Sequence, residues 1–483
     1  MLFSSPIFLF GFLPIILLVY FLSPWKFRNA ILLTGSLFFY AWGEVFYVLI
    51  MVISIFSNYS FGVRMDRTGE DTEGRRRRKK LLAYGIGVNL LLLGWFKYAN
   101  FIFDNLNVML AWIGIDPIII KPVHLPLGIS FFTFQAISYL VDVYRHDAKA
   151  EHSRYRLGLY ISLFPQLIAG PIVRYRTIAG QILKREHSIE LFSSGAQRFV
   201  FGLSKKMLIA NPLGEVADSI FAQSAGDLTA PVAWLGILCY TLQIYFDFSG
   251  YSDMAIGLGR MFGFRFLENF NYPYIATSIQ EFWRRWHISL STWFRDYLYI
   301  PLGGNRLSAS RTYFNLIIVF LLCGLWHGAS WNFIIWGMIH GFFLILERAW
   351  LAQHLNGTMR PLAHVYTLFV VIVAWVFFRA DTLPEAMAYL ASMFSPADTS
   401  LPLYTITYFM TNEAWIALTI GFILATPIYK TVTEYIASRA GGNAAYEAML
   451  VGTPKVLLMI ALLSLSLTKV ASSTYNPFIY FRF

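Results

Sequence analysis

The feature of this sequence that most constrains its fold is a succession of long apolar runs separated by short basic loops. Of the 483 residues, 57% are hydrophobic and 13% are charged, whereas a typical soluble domain has about 25% charged residues. Each run approaches the roughly 20 residues that a membrane-spanning helix needs. We therefore expect an all-α polytopic membrane protein, with about 10–12 transmembrane helices in a single domain over residues 1–483.

The basic residues set the expected topology of the chain. The formal net charge is +11, and the run Arg75–Lys80 lies between two apolar segments. The positive-inside rule places such loops in the cytoplasm, so the excess charge indicates a lipid bilayer and no nucleic-acid partner. Cys239 and Cys323 lie in apolar runs without metal-site spacing. We expect no metal and no cofactor.

One apolar stretch does not fit a simple transmembrane span. Leu157–Ile172 contains Pro165, Gly170 and Pro171 and has basic residues on both flanks. Because both flanks should then be cytoplasmic, this stretch is predicted to be re-entrant. Broken backbone at membrane depth is tolerated only where protein or a water-filled cavity covers it. We expect a central tunnel that opens from the cytoplasm.

The stretch Phe320–Trp331 contains a histidine at or near membrane depth. His327 is flanked by Gly324 and Gly328, and no carboxylate lies within eight residues of it. Ionisable groups inside a membrane are costly and usually mark a pathway or a site, and glycine lets another chain or a ligand approach closely. The alternative is a histidine that only hydrogen-bonds a neighbouring helix.

A second histidine lies in the stretch Glu281–Tyr297. At about 100° per residue, its aromatic side chains fall on one helical face and most of its charged side chains on the other. This pattern predicts one amphipathic helix at a membrane interface. His287 lies at the edge of the aromatic face, so the helix is either an anchor with an incidental histidine or part of a site.

These two stretches resemble a known family. The segment Glu281-Phe-Trp-Arg-Arg-Trp-His, followed by Gly324-Leu-Trp-His-Gly, closely resembles the membrane-bound O-acyltransferase family. The segments Tyr245-Phe-Asp-Phe-Ser-Gly and Pro301-Leu-Gly-Gly-Asn-Arg and the ending Asn476-Pro-Phe-Ile-Tyr-Phe resemble its alginate O-acetyltransferase branch. The resemblance covers the whole chain.

The resemblance implies an enzyme, and it places catalytic roles on His327 and His287. It implies a multi-pass protein of the bacterial cytoplasmic (inner) membrane that takes acetyl from acetyl-CoA. It also implies a periplasmic SGNH-type acetyltransferase partner that completes O-acetylation of an extracytoplasmic polysaccharide, with alginate as the first choice.

Four further residues are expected to bind substrate. Coenzyme A carries several negative charges, which a basic surface would attract, and Arg284 and Arg285 lie just before Trp286 and His287. Trp286 and Trp326 each precede one of the two histidines. We therefore expect these four side chains to line the entrance or the reaction chamber.

Other functions remain open at this stage. Peptidoglycan or cellulose could be the acceptor, and D-alanyl transfer to teichoic acid uses a related motif. A transporter or flippase without acyl-transfer chemistry would also have broken helices and a cavity with a basic rim. The absence of a visible inverted repeat and the paired histidines favour group transfer.

Overall fold

The computed structural model describes residues 1–355, 359–395, 404–439 and 452–479. Within these ranges every regular element is a helix and none is a strand. The prediction of an all-α polytopic membrane protein is confirmed. Residues 480–483, which include the last two of the ending that contributed to the resemblance, lie outside the described residues.

The α-helices of the described residues follow one another along the chain with short connections. In chain order they are α1 Leu13–Leu22, α2 Trp25–Ala41, α3 Val48–Asp66, α4 Thr72–Leu93, α5 Ala99–Trp112, α6 Ile129–Tyr144, α7 Arg154–Ser162, α8 Phe164–Leu167, α9 Tyr175–Leu183, α10 Ile189–Ser204, α11 Asn211–Phe221, α12 Ala230–Met261, α13 Ile279–Arg285, α14 Ile288–Phe294, α15 Ala309–His327, α16 Trp331–Leu346, α17 Ala352–His354, α18 Arg360–Arg379, α19 Leu383–Phe394, α20 Ile406–Phe409, α21 Asn412–Leu424, α22 Ile428–Arg439 and α23 Thr453–Ser472. Short π-helical segments are Ile7–Phe12, Gly94–Tyr98, Lys205–Ala210, Arg295–Tyr299 and Glu347–Leu351, and 3₁₀ turns are Ala225–Asp227 and Pro273–Ile275.

The chain divides into two compact units. The first comprises Met1–Gly195 and Leu258–Leu267, and the second comprises Ala196–Gly257 and Glu268–Phe483. Both candidate catalytic histidines belong to the second unit. The assignment of residues 1–483 to a single domain stays a prediction.

The described residues contain fewer helices of spanning length than the ten to twelve predicted for the whole chain. Among the described residues, seven helices are long and apolar enough to cross a membrane, or up to eight if a pair bent by 64° counts as one span. Two shorter apolar helical stretches are Ile7–Leu22 and Ile129–Tyr144. The predicted count of ten to twelve included such shorter runs. The central tunnel stays a prediction.

The stretch predicted to be re-entrant is broken and covered by protein. α7 and α8 are nine and four residues long and meet at Leu163, and every residue from Leu157 to Val173 is buried. A helix of nine residues rises only about 14 Å, so neither piece spans a bilayer. The predicted break and its cover are confirmed, and the cytoplasmic placement of both flanks stays a prediction.

The prediction of one continuous amphipathic helix over Glu281–Tyr297 is wrong. The helix stops at Arg285, Trp286 is extended with φ −95° and ψ 130°, and a second helix begins at Ile288. Between them His287 has φ 42° and ψ 54°, in the left-handed region that non-glycine residues rarely adopt. The segregation of side chains follows the prediction for most positions: the aromatic side chains are buried, except for the half-buried Tyr297, and Arg284 and Arg295 are exposed.

Candidate functional site

Helices α15 and α16 form a tightly packed antiparallel hairpin that holds His327. Ser308 caps the start of α15 by accepting a hydrogen bond from the Arg311 backbone N–H. A Cβ atom on Gly324 would collide with the carbonyl oxygen of Phe333, and one on Gly328 with the Phe333 ring. The close approach predicted at these glycines is therefore confirmed, and the element that approaches them is helix α16.

His327 is the last residue of α15 and lies among aromatic rings. Only 3% of its surface is exposed. Its ring centroid is 4.9 Å from Trp326, 4.9 Å from Trp336 and 5.2 Å from Phe378, each in edge-to-face geometry. This imidazole is held in a largely apolar environment, where electrostatic interactions are stronger than in water.

Helix α13 is fixed at its start by two side chains. The Ser278 hydroxyl accepts a hydrogen bond from the Glu281 backbone N–H at 3.0 Å. The Glu347 carboxylate accepts from the backbone N–H groups of Ile279 and Gln280, at 2.6 and 3.1 Å. A carboxylate at this end also compensates the helix dipole, so the first turn of α13 is tied to the end of α16.

The break between α13 and α14 is held by the loop that precedes α13. The Asn271 N–H donates to the Arg285 carbonyl at 3.0 Å, and the Ile288 N–H donates to the Asn269 carbonyl at 2.9 Å. The Asn269 side-chain oxygen lies 3.1 Å from His287 Nδ1. These contacts stabilise the left-handed backbone of His287, which would otherwise cost about 1–3 kcal/mol.

His287 is completely buried, and its surroundings are defined. Its ring packs edge-to-face on Phe248 at 4.7 Å and lies 6.0 Å from the Trp326 ring. Its Nε2 atom has no hydrogen-bond partner among the described residues. Burial lowers the pKa of His287 to about 3, so this imidazole, which lies outside the seven long apolar helices, is neutral at physiological pH.

The structure brings four of the six predicted site residues into one aromatic cluster. Trp326 contacts both His287 and His327. Trp286 packs on Trp375 at 5.1 Å, and Trp375 stacks on Trp336, which contacts His327. The two histidines are about forty residues apart in sequence and share this cluster, as expected of one site. Their chemical roles stay predictions.

A third histidine belongs to the same cluster and was not predicted to do so. His340 is fully buried in α16, with its ring 5.1 Å from Trp336 and 5.2 Å from Trp283. Neither of its nitrogens has a hydrogen-bond partner among the described residues. His340 lies within the apolar run of α16, and no local sequence pattern indicates that it faces the same cluster as His327.

The two arginines of the motif have different environments. Arg285 forms an ion pair with Glu281 at 2.8 Å and donates to the Asn271 carbonyl at 3.0 Å. Arg284 is exposed and makes no ion pair within the described part of the chain. Arg284 borders a cavity of about 470 Å³, which is lined mostly by apolar side chains, including Trp283 and Phe320. Arg284 is therefore the better placed of the two to bind an anionic ligand.

A metal site is not visible in the described residues. They contain no group of three or more histidine, cysteine, aspartate or glutamate side chains that could hold an ion. The expectation that the reaction needs no metal or cofactor stays a prediction.

Comparison with known proteins gives consistent matches. The family model for membrane-bound O-acyltransferases matches residues 152–383. A probable alginate O-acetylase of Azotobacter vinelandii is 44% identical, and one of Pseudomonas putida is 43% identical, with 100% of both chains covered in each case. A peptidoglycan O-acetyltransferase of Helicobacter pylori is 37% identical over 100% of this chain and 98% of its own.

Proposed function

This chain belongs to the membrane-bound O-acyltransferase family, and from that premise we propose that it transfers acetyl from cytoplasmic acetyl-CoA towards an extracytoplasmic polysaccharide. It is an O-acyltransferase and a multi-pass membrane protein. The donor, the acceptor and the particular membrane are the proposed parts. The observation that carries the proposal is the convergence of His287 and His327 on Trp326 within a buried aromatic cluster.

The chemistry needs a proton acceptor and a proton donor. The acceptor hydroxyl oxygen attacks the thioester carbonyl carbon, so a C–O bond forms and the C–S bond breaks. The hydroxyl proton must be removed, and the departing thiolate must receive one. A single imidazole can do both, and we assign this role to His327, with His287 lining the same chamber. The dry surroundings protect the thioester from hydrolysis.

The proposed donor fits the charge at the edge of the site. Coenzyme A carries several phosphate charges, and Arg284 is an exposed guanidinium without an ion-pair partner among the described residues. Guanidinium groups bind phosphate with paired, charge-assisted hydrogen bonds. The adjoining cavity of about 470 Å³ is within the usual size range of small-molecule sites, about 300–1,000 Å³.

The proposed acceptor is alginate, and the proposed location is the bacterial inner membrane. Alginate is preferred because the probable alginate O-acetylases of Azotobacter vinelandii and Pseudomonas putida are 44% and 43% identical, compared with 37% for the peptidoglycan enzyme. We further propose that a periplasmic SGNH-type acetyltransferase completes the transfer. Acetylation of cellulose and D-alanyl transfer to teichoic acid are the alternatives that the experiment below distinguishes.

The experiment supplies radiolabelled acetyl-CoA to inverted membrane vesicles that contain this protein, the partner and one candidate polysaccharide at a time. We expect label in alginate, and we expect the same membranes with His327→Ala to release no coenzyme A thiol above background. Label in peptidoglycan alone would show that peptidoglycan, and not alginate, is the acceptor. If wild-type vesicles leave acetyl-CoA intact while a D-alanyl-loaded carrier is consumed, the proposed donor is wrong.

A further inference from the structure

The Asn269 side chain lies where it can decide which nitrogen of His287 carries the proton. The Asn269 Oδ1 atom is 3.1 Å from His287 Nδ1, 3.1 Å from the Ser289 backbone nitrogen and 2.9 Å from Ser289 Oγ. All three residues are buried. Exchange with solvent is therefore restricted, and the hydrogen bonds between these groups determine the tautomer.

The orientation of the Asn269 amide follows from one of these contacts. Amide oxygen and nitrogen are normally assigned from the hydrogen-bond network. A backbone N–H can only donate, so the Asn269 atom that faces the Ser289 N–H must be the oxygen. A reversed amide would direct its own N–H group at the Ser289 N–H. The oxygen that faces His287 is thus fixed by the backbone.

The tautomer of His287 follows in turn. The Ser289 hydroxyl also lies 3.3 Å from Nδ1, but its proton goes to Asn269 Oδ1 at the shorter distance of 2.9 Å. An amide oxygen accepts and cannot donate, so the nitrogen that faces it at 3.1 Å must carry a proton. In a neutral imidazole the other nitrogen then has a lone pair and no proton. That nitrogen is Nε2, which has no hydrogen-bond partner within the described residues.

We propose that Asn269 is a positioning residue, which keeps the proton of His287 on Nδ1 so that Nε2 faces the substrate as a fixed acceptor for an O–H or N–H group. The same arrangement recurs where a histidine works on one nitrogen and is oriented through the other. The consequence for turnover rests on the proposed function, but the tautomer itself does not.

A purely structural role for Asn269 makes a different prediction. The Asn269 side chain could exist only to hold the break between α13 and α14, since its oxygen also accepts from the Ser289 backbone. In that case any residue that preserves the fold would preserve turnover. The tautomer role requires an acceptor atom beside Nδ1, whatever the stability of the fold.

The first experiment reads the tautomer directly in the intact protein. Protein with ¹⁵N-histidine in lipid nanodiscs gives separate signals for protonated and bare imidazole nitrogens, and comparison with His287→Gln identifies the pair from His287. We expect a protonated Nδ1 and a bare Nε2. A protonated Nε2 would overturn the proposal whether or not the protein transfers acetyl groups.

The second experiment separates positioning from folding. Asn269→Leu removes the acceptor, and we expect kcat to fall at least tenfold, and at most by the factor of about 10²–10⁴ that an acid–base group contributes, with KM for acetyl-CoA little changed. Asn269→Asp keeps the acceptor, so we expect it to retain most of kcat. Its negative charge should raise the pKa of His287 and shift the acid limb of the pH profile to higher pH.

Ser289→Ala is the matched control, because it removes the hydroxyl that bonds to Asn269 Oδ1 and lies 3.3 Å from His287 Nδ1, and it leaves the Asn269 oxygen and its backbone donor in place. We expect near-wild-type turnover and an unchanged tautomer. Equal activity of the Leu, Asp and wild-type proteins would overturn the proposal. So would an Asp variant that keeps the Nδ1 proton and the fold but is as inactive as the Leu variant.

Discussion

His327 and His287 share one aromatic cluster but are positioned by opposite means. His327 ends a regular helix of 19 residues, and aromatic rings pack around it edge-to-face. His287 lies on left-handed backbone between two helices of seven residues each, and hydrogen bonds from the loop at Asn269 hold it. Ring packing surrounds His327, whereas His287 is held by hydrogen bonds to Asn269, a set of contacts that we call the clamp.

This difference has consequences for substitution. Packing of large rings around His327 constrains shape, so a side chain of similar size should be accommodated there without rearrangement. The clamp around His287 depends on particular donors and acceptors, and a lost partner leaves a buried polar group unsatisfied, at a cost of about 1–3 kcal/mol. Variants of the two histidines should therefore separate loss of chemistry from loss of structure.

The largest expected effect is at the residue placed by packing. We expect His327→Ala to reduce acetyl transfer by about 10²–10⁴-fold, because the acid–base group is gone, and to leave acetyl-CoA binding in place. Initial rates and equilibrium binding of acetyl-CoA measured on the same membranes test this. Loss of binding in parallel with turnover would mean that His327 supports the site and does not perform the chemistry.

The next effect is at the clamped residue. His287→Ala should lower turnover at least tenfold, equivalent to about 1.4 kcal/mol of transition-state stabilisation, while the protein remains inserted in the membrane. The side chain is buried beside Trp326 and Phe248, so protein yield and thermal unfolding in detergent are the controls. Wild-type turnover in a stable His287→Ala protein would make His287 a structural residue.

The two histidines also differ in what the sequence could predict. The placement of His327 near the end of an apolar run and between glycines follows from local pattern, because regular helices and close helix contacts have local signatures. The break at His287 has no such signature, since the aromatic spacing of Glu281–Tyr297 is continuous. Tertiary hydrogen bonds from Asn269, eighteen residues away, override the helical pattern.

Other parts of the site were predictable to different degrees. Apolar runs and charge identified an all-helical membrane fold, and proline and glycine identified the broken segment α7–α8. The place of Asn269 and His340 in the site could not be predicted, because it depends on which elements meet in space. The different environments of Arg284 and Arg285 likewise depend on the partner Glu281, which either could have reached.

A smaller effect is expected for the helix contact beside His327. Gly324→Ala puts a methyl group against the carbonyl oxygen of Phe333, which is backbone and cannot rotate away. We expect a loss of about 1–3 kcal/mol of unfolding free energy, measured as a lower thermal midpoint. Gly87→Ala, in open space on α4, is the matched control and should be neutral or slightly stabilising. An unchanged midpoint for Gly324→Ala would refute the close contact.

The smallest effect separates the adjacent arginines. Arg284→Gln should raise KM for acetyl-CoA severalfold with little change in kcat. Because Arg284 is exposed to solvent, the loss should stay below the about 1.5–3 kcal/mol that a hydrogen bond to a charged group contributes. Arg285→Gln should leave KM nearly unchanged, because Arg285 is engaged with Glu281. If Arg285→Gln raised KM and Arg284→Gln did not, the donor-binding residue would be Arg285.

The most direct test of the account is acetyl transfer by His327→Gln. Glutamine keeps a hydrogen-bonding side chain of moderate size but cannot exchange a proton at neutral pH. We predict that this variant folds, binds acetyl-CoA and is nearly as inactive as His327→Ala, with turnover about 10²–10⁴-fold below wild type. Normal acetylation of the polysaccharide by His327→Gln, alongside misfolding of His327→Ala, would contradict the account and make His327 a packing residue.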